Sequence, residues 1–238
     1  MKPQVEVLYF SNCPHADEAL RSTREVVERL LPGGEVETVL VETEEYARIK
    51  NFLGSPSVRI DGIDVEGRGT DAPGLACRVY EGGKGAPPEW MIEAAVLRAL
   101  RPLHILFLCV ANSARSQMAE GIARSLAPKG VRVSSAGSAP ASVRPQAVQV
   151  LREIGLDISG NRSKDLDAVD SSSVDAVITL CAEEVCPAFL GKTCRIHWGL
   201  PDPAAVAGTE DIRLAAFRNV RDELLRRLTV LFSGMAGR

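Results

Sequence analysis

The sequence contains no apolar run near the ~18 residues that a membrane-spanning helix requires. Its first residues, Met1-Lys-Pro-Gln-Val-Glu-Val7, lack the long apolar stretch of a secretory signal. Neither charge sign is in excess: 28 Lys and Arg stand against 31 Asp and Glu, a net charge of −3, and the basic residues are scattered. That distribution excludes a general nucleic-acid surface, so any anion binding has to be local. Close pairs of metal ligands are also scarce. Cys181 and Cys186 are spaced C-x(4)-C, but no second close cysteine or histidine pair accompanies them to complete a tetrahedral zinc site. The expectation is a cytoplasmic protein with no membrane or nucleic-acid partner. In that reducing compartment Cys13, Cys77, Cys109, Cys181, Cys186 and Cys194 are free, catalytic or redox-cycling rather than structural staples.

What is present is an α/β pattern, written twice in 238 residues. That length suffices for two ordinary domains, and Arg101-Pro102 marks the boundary between 1–101 and 102–238. In the first half, strands are predicted at 5–10, 36–41, 57–60 and 63–65, and helices at 16–31, 44–53 and 88–100. Leu20, Val26, Val27, Leu30 and Leu31 form the apolar stripe of the first helix, and Asp61-Gly62 is a hairpin turn pair. The second half repeats the order. Strands are predicted at 103–110, 131–135, 174–180 and 194–198, and helices at 117–126, 144–154 and from a Thr209 cap onward. The apolar stripe of that last helix includes Ile212, Leu214, Phe217, Val220, Leu224, Leu225 and Leu228. The near-continuous apolar run 174–180 suits a buried parallel strand, and the alternation as a whole implies a doubly wound parallel sheet.

One stretch carries chemistry. Cys109-Val-Ala-Asn-Ser-Ala-Arg115-Ser116 joins an apolar strand to a helix start. Loop N–H groups and a helix N-terminus form an anion site, and their positive field favours the thiolate of a cysteine placed there. Arg115 adds a planar fork that clamps a tetrahedral oxyanion. Val110, Ala111, Asn112, Ser113, Ala114, Arg115 and Ser116 are therefore the expected oxyanion-binding residues, beneath which Cys109 attacks a phosphate-like centre.

Two resemblances follow. Residues 4–100 are similar to the thioredoxin fold. Cys13-Pro-His-Ala16 stands at that family's active-site position, and Ser55-Pro56 stands where the fold carries its cis-proline. Ala16 replaces the second cysteine of C-x-x-C, so Cys13 acts as a monothiol or pairs with the distant Cys77. The second resemblance covers 103–232. The Cys109–Glu120 segment, Ser135-Ala-Gly137 and His197-Trp-Gly-Leu-Pro-Asp-Pro203 resemble arsenate reductases built on the low-molecular-weight tyrosine phosphatase fold, with its four-stranded parallel sheet.

The second resemblance implies a role for each matching residue. Cys109 is the nucleophile toward arsenate, for which phosphate or sulfate is a mimic. Arg115 holds the oxyanion, Ser116 donates to the thiolate, and Asp202 is the general acid. Cys181 then attacks the Cys109 adduct and Cys186 resolves the resulting disulfide. A structural potassium ion near the loop would draw oxygens from Asn112, Glu120, Ser135, Ser163 and Asp165. No organic cofactor is implied. The electrons come from an external thiol reductant, thioredoxin or a mycothiol/glutaredoxin system, with the first domain as a candidate internal donor. Cys194 has no part in the relay. Two other classes stay open: a low-molecular-weight phosphatase acting on phosphotyrosine or small phosphoesters, and a thiol-based metalloid-binding protein.

Overall fold

The computed structural model describes residues 2–67, 72–182 and 193–235. The chain divides into two compact units, Met1–Arg101 and Pro102–Arg238, each with its own four-stranded sheet. Among the described residues, no helix is long and apolar enough to cross a membrane.

The first unit contains β1 (Val5–Tyr9), α1 (Ala16–Leu30), β2 (Val36–Leu40), α2 (Glu44–Ile49), β3 (Ser57–Ile60), β4 (Ile63–Asp64) and α3 (Glu89–Leu100). The sheet order is β2-β1-β3-β4. β1 is parallel to β2 and antiparallel to β3, and β4 returns antiparallel beside β3. Asp61 and Gly62 both take positive φ (52° and 75°), as a tight two-residue hairpin turn requires. The Ser55–Pro56 peptide bond is cis.

Two details differ from the sequence expectation. The buried face of α1 is Ala16, Ala19, Thr23, Val26 and Val27, while Leu20 and Leu30 are only half-buried. Small residues lead this face because α3 packs directly against it. Helix α2 ends at Ile49 instead of running to Leu53. Asn51 turns left-handed (φ 48°) and the Phe52 N–H bonds back to the Ala47 carbonyl at 2.8 Å, a closed C-terminal turn.

A buried ionic cluster fastens the stretch after β4. The Arg78 guanidinium donates to both carboxylate oxygens of Asp64 (2.6 and 2.7 Å), to Glu66 (2.6 Å) and to Ser57 Oγ (3.0 Å). It lies 4.4 Å from the centre of the Tyr80 ring, and the Tyr80 hydroxyl donates to the Pro56 carbonyl at 2.8 Å. Arg78→Met is expected to cost about 3–5 kcal/mol, because it removes the guanidinium that pairs with two buried carboxylates. Denaturant unfolding of the variant measures this.

The second unit contains β5 (His104–Cys109), α4 (Arg115–Leu126), β6 (Arg132–Gly137), α5 (Pro145–Arg152), β7 (Ala176–Cys181), β8 (Cys194–Leu200) and α6 (Glu210–Phe232). All pairings in the order β6-β5-β7-β8 are parallel. Every residue of β5 is buried, as suits a central strand of a parallel sheet. Leu106 and Leu108 pack with Ala136, Val174 and Val177 under Leu166 and Val169. The chain leaves β5 for β6 on one side and places β7 on the other, and this reversal opens a crevice at the carboxyl end of β5.

Thr209 caps α6 through the Ile212 N–H at 3.4 Å. Ile212 itself, expected in the apolar stripe, is 52% exposed and lies over Gly208; the buried stripe is Leu214, Phe217, Val220, Leu224, Leu228 and Leu231. Glu153, after α5, receives hydrogen bonds from Arg218 and Arg221 on α6. These bonds hold its carboxyl down from 4.5 to about 2. The unfolded chain therefore takes up this proton first, so the clamp's stabilisation is present above pH 4.5 and lost as pH falls toward 2. Glu153→Gln is expected to flatten that acid limb, measured as melting temperature against pH.

Candidate oxyanion site at the end of β5

Cys109 is the last residue of β5 and is buried. Its Sγ lies 2.9 Å from Ser116 Oγ in the first turn of α4. That helix starts at Arg115 rather than at the expected Gln117, so both Arg115 and Ser116 belong to it and their backbone N–H groups face its open end. A twelve-residue helix directs its positive pole at the loop.

The loop between them is held from outside. Its carbonyls at Val110, Ala111 and Ser113 accept from the N–H groups of Ala139, Ala141 and Arg144 at 2.9–3.0 Å. Ser163 Oγ donates to the Asn112 carbonyl at 2.7 Å. With its carbonyls taken by these outer donors, the loop has its N–H groups to offer an anion, as in a backbone nest.

Asn112 fixes the middle. Its φ is +45°, a left-handed conformation that asparagine tolerates. It is fully buried, and its side-chain amide donates to Ser116 Oγ (2.8 Å) and Ser135 Oγ (2.9 Å). The amide oxygen accepts from Gln117 Nε2 (3.0 Å) and from the Lys164 N–H (2.8 Å). Ser116 Oγ thus accepts from Asn112 and shares a hydrogen with the Cys109 sulfur, a contact in which either atom can donate.

Arg115 is buried beside this loop. One guanidinium nitrogen donates to the Leu200 carbonyl at 3.0 Å and to the Leu180 carbonyl at 3.5 Å. Another stands 3.6 Å from Asp202 Oδ1. Asp202 also accepts from the Ala204 N–H at 3.2 Å, capping a short 3-10 turn, so its turn role and its place at the site coexist. Cys181 ends β7 fully buried, opposite Leu200 in the register and one residue beyond the Leu180 carbonyl. The structure thus gathers Cys109, Arg115, Asp202 and the strand end bearing Cys181. Cys186 lies outside the described residues. Cys194 begins β8, half-buried. Cys13 and Cys77 belong to the first unit.

The residues expected to hold potassium are arranged differently from a cation site. Asn112, Glu120, Ser135 and Ser163 do converge, but on protein donors. Ser135 Oγ donates to Glu120, and Glu120 already pairs with the Lys164 ammonium at 3.2 Å and with Arg124. Asp165 bridges Gly137 through its backbone, while its carboxylate accepts the Asp167 N–H at the cap of a 3-10 turn. With two cationic side chains on its one carboxylate, this set does not fit an additional ion.

Gln117 and Lys164 were not singled out from sequence. A polar stripe at Gln117, Glu120 and Arg124 on a helix that otherwise buries Met118, Ala119, Ile122 and Ala123 was the available signal for Gln117. Lys164 carried none. Gly137 is held by space: a Cβ there would stand 2.3 Å from the Val110 carbonyl and 2.8 Å from both the Cys109 carbonyl and the Asn112 nitrogen. Gly137→Ala must therefore push the loop backbone aside. It is expected to weaken phosphate binding at least about tenfold and to destabilise by about 1–3 kcal/mol. Gly160→Ala, with open space at its Cβ position, leaves both unchanged; titration calorimetry with phosphate separates the two.

Residues 104–237 match the family model for low molecular weight phosphotyrosine protein phosphatase. Among curated proteins, the arsenate reductase of Halalkalibacterium halodurans is 44% identical over 126 residues, spanning 52% of this chain and 91% of its own length. The arsenate reductase of Bacillus subtilis is 43% identical over 126 residues with the same coverage. Among solved structures, an arsenate reductase in a phosphate-binding state aligns at 32% identity and TM-score 0.49, over 56% of this chain and 98% of that one. The arsenate reductase of Archaeoglobus fulgidus aligns at 28% identity and TM-score 0.48, over 54% and 98%. Through residues 104–237, this chain belongs to the low molecular weight phosphotyrosine protein phosphatase family.

Proposed function

We propose that the second unit reduces arsenate to arsenite by a three-cysteine relay. The observation that carries this reading is the Arg115 guanidinium bound to the Leu180 and Leu200 carbonyls, which sets the β7 end bearing Cys181 beside the Cys109 loop. A phosphatase needs the cysteine, the arginine and the aspartate; a second sulfur at the same edge is what reduction adds. The relatives named arsenate reductase support the substrate.

The steps balance as follows. The Cys109 thiolate attacks arsenic, and Asp202 protonates the departing oxygen, which leaves as water. The Cys181 thiolate attacks the Cys109 sulfur, the arsenic–sulfur electron pair stays on arsenic, and arsenite departs from a Cys109–Cys181 disulfide. Cys186 attacks Cys181, freeing Cys109 and leaving Cys181–Cys186. A thiol reductant, thioredoxin or a mycothiol/glutaredoxin system, restores the pair, and the setting is the reducing cytoplasm.

The first unit is read as a thioredoxin-like module and an internal electron donor for this relay. Its mixed sheet, with β1 parallel to β2 and antiparallel to β3, and Cys13 in the turn before α1 support that reading.

The family model itself favours a second reading, hydrolysis of phosphoesters. Both require Cys109, and they part at Cys181. Cys181→Ser is expected to stop after at most one arsenate per chain, read as NADPH consumed with thioredoxin and its reductase, while Cys109→Ser consumes none. Asp202→Asn is expected to slow turnover by about 10²–10⁴-fold. Sustained arsenate turnover by Cys181→Ser sinks the relay; p-nitrophenyl phosphate hydrolysis at the wild-type rate, with no arsenate-dependent oxidation by either protein, establishes the phosphatase.

A further inference from the structure

Cys13 and Cys77 are far apart in sequence, but the first unit brings their segments together around Ser55. The Ser55 N–H donates to the Ala76 carbonyl at 2.8 Å and the Arg78 N–H donates to the Ser55 carbonyl at 2.9 Å, making a parallel bridge in which Ser55 faces Cys77. Residues paired across a bridge send their side chains to the same face. On that face Ser55 Oγ accepts the Phe10 N–H at 3.2 Å, and the Cys13 N–H in turn donates to the Phe10 carbonyl at 3.3 Å. Cys77 is thereby presented toward the turn that carries Cys13.

A second contact places the same segment independently. Gly85 lies against His15, two residues beyond Cys13: a Cβ on Gly85 would stand 2.0 Å from the imidazole. The chain from Cys77 to Gly85 therefore starts beside Ser55 and ends on the Cys13–His15 turn. Its side chains alternate. Arg78 and Tyr80 point into the ionic cluster and are buried, whereas Cys77 and Val79 are exposed. The buried cluster thus locks the backbone on which an outward thiol is displayed. Cys13 is half-buried and Cys77 exposed, so the pair is open to a small reactant.

We propose that Cys13 and Cys77 form a two-thiol redox couple, in which a separate segment, bridged to Ser55, supplies the second sulfur that Cys13-Pro-His-Ala16 lacks. Its reactant is a small, solvent-accessible disulfide. The Cys13 thiolate attacks one sulfur, the S–S bond breaks and one thiolate leaves; the Cys77 thiolate then attacks the Cys13 sulfur and the second thiolate leaves. Two protein thiols are oxidised to one disulfide and one small disulfide is reduced to two thiols. This couple does not depend on the chemistry assigned to Cys109, and its readout involves no arsenate.

The test uses the full-length reduced chain under anaerobic conditions with oxidised glutathione as probe, followed by alkylation, digestion without reductant and mass spectrometry. The wild type is expected to yield a Cys13–Cys77 linked peptide, with glutathione on Cys13 only as an early intermediate. Cys77→Ser, at an exposed position, is expected to lose the linked peptide and to accumulate glutathione on Cys13. Three results overturn the proposal: a stable glutathione adduct on wild-type Cys13 with Cys77 still alkylated, a Cys13 that does not react, or a Cys13 linked to another cysteine. The wild-type map alone decides among these, whatever the folding of any variant.

Discussion

The oxyanion loop is organised by one buried amide. Asn112 sits within the loop in a left-handed conformation, and each polar position of its side chain is matched. Through it the loop is joined to α4 at Ser116 and Gln117, to β6 at Ser135 and to the 161–165 segment at Lys164. A fully matched buried network specifies a single arrangement, whereas one missing partner leaves a desolvated polar group. The loop is therefore held in one shape by the protein's own groups, with Ser116 Oγ fixed 2.9 Å from the Cys109 sulfur.

The two units solve a similar opening differently. In each, a strand gives way through a short turn to a helix, with a cysteine at the strand's last residue in the second unit and within the turn in the first. In the second unit the loop is tied at its carbonyls by neighbouring N–H groups, and a buried arginine follows it at the start of the helix. In the first, the turn from Phe10 to Ala16 carries Pro14 and His15 and no arginine, and its cysteine is half-buried. One sulfur lies under an oxyanion cup, and the other lies open beside a second thiol-bearing segment. Each cysteine precedes the N-terminus of a helix, but only the second has a buried arginine in that helix's first turn.

Much of this was legible from residues. The element order followed from apolar periodicity and turn residues, and the left-handed Asp61-Gly62 pair was readable because few residues tolerate that backbone. The misses have physical causes. Leu20 and Leu30 were assigned to the core on hydrophobicity, but a close helix neighbour admits Ala16 and Ala19 there instead. Ile212 has the right spacing and is still half exposed, its side chain lying over Gly208. The ammonium of Lys164 on Glu120 could not be foreseen, since it depends on where a loop from another part of the chain comes to rest.

By itself the sequence determined the local chemistry: a cysteine, a loop and an arginine at the spacing of an anion site, because those residues are contiguous and their geometry is set by a strand-to-helix turn. Tertiary structure decided which distant groups join them. Asp202, the Leu180 and Leu200 carbonyls and the strand end of Cys181 reach Arg115 because parallel strands deliver their carboxyl ends to one edge of the sheet. The Ser55 bridge likewise gives Cys13 its neighbour. Hydrogen-bond register across strands, which no local pattern encodes, is the reason.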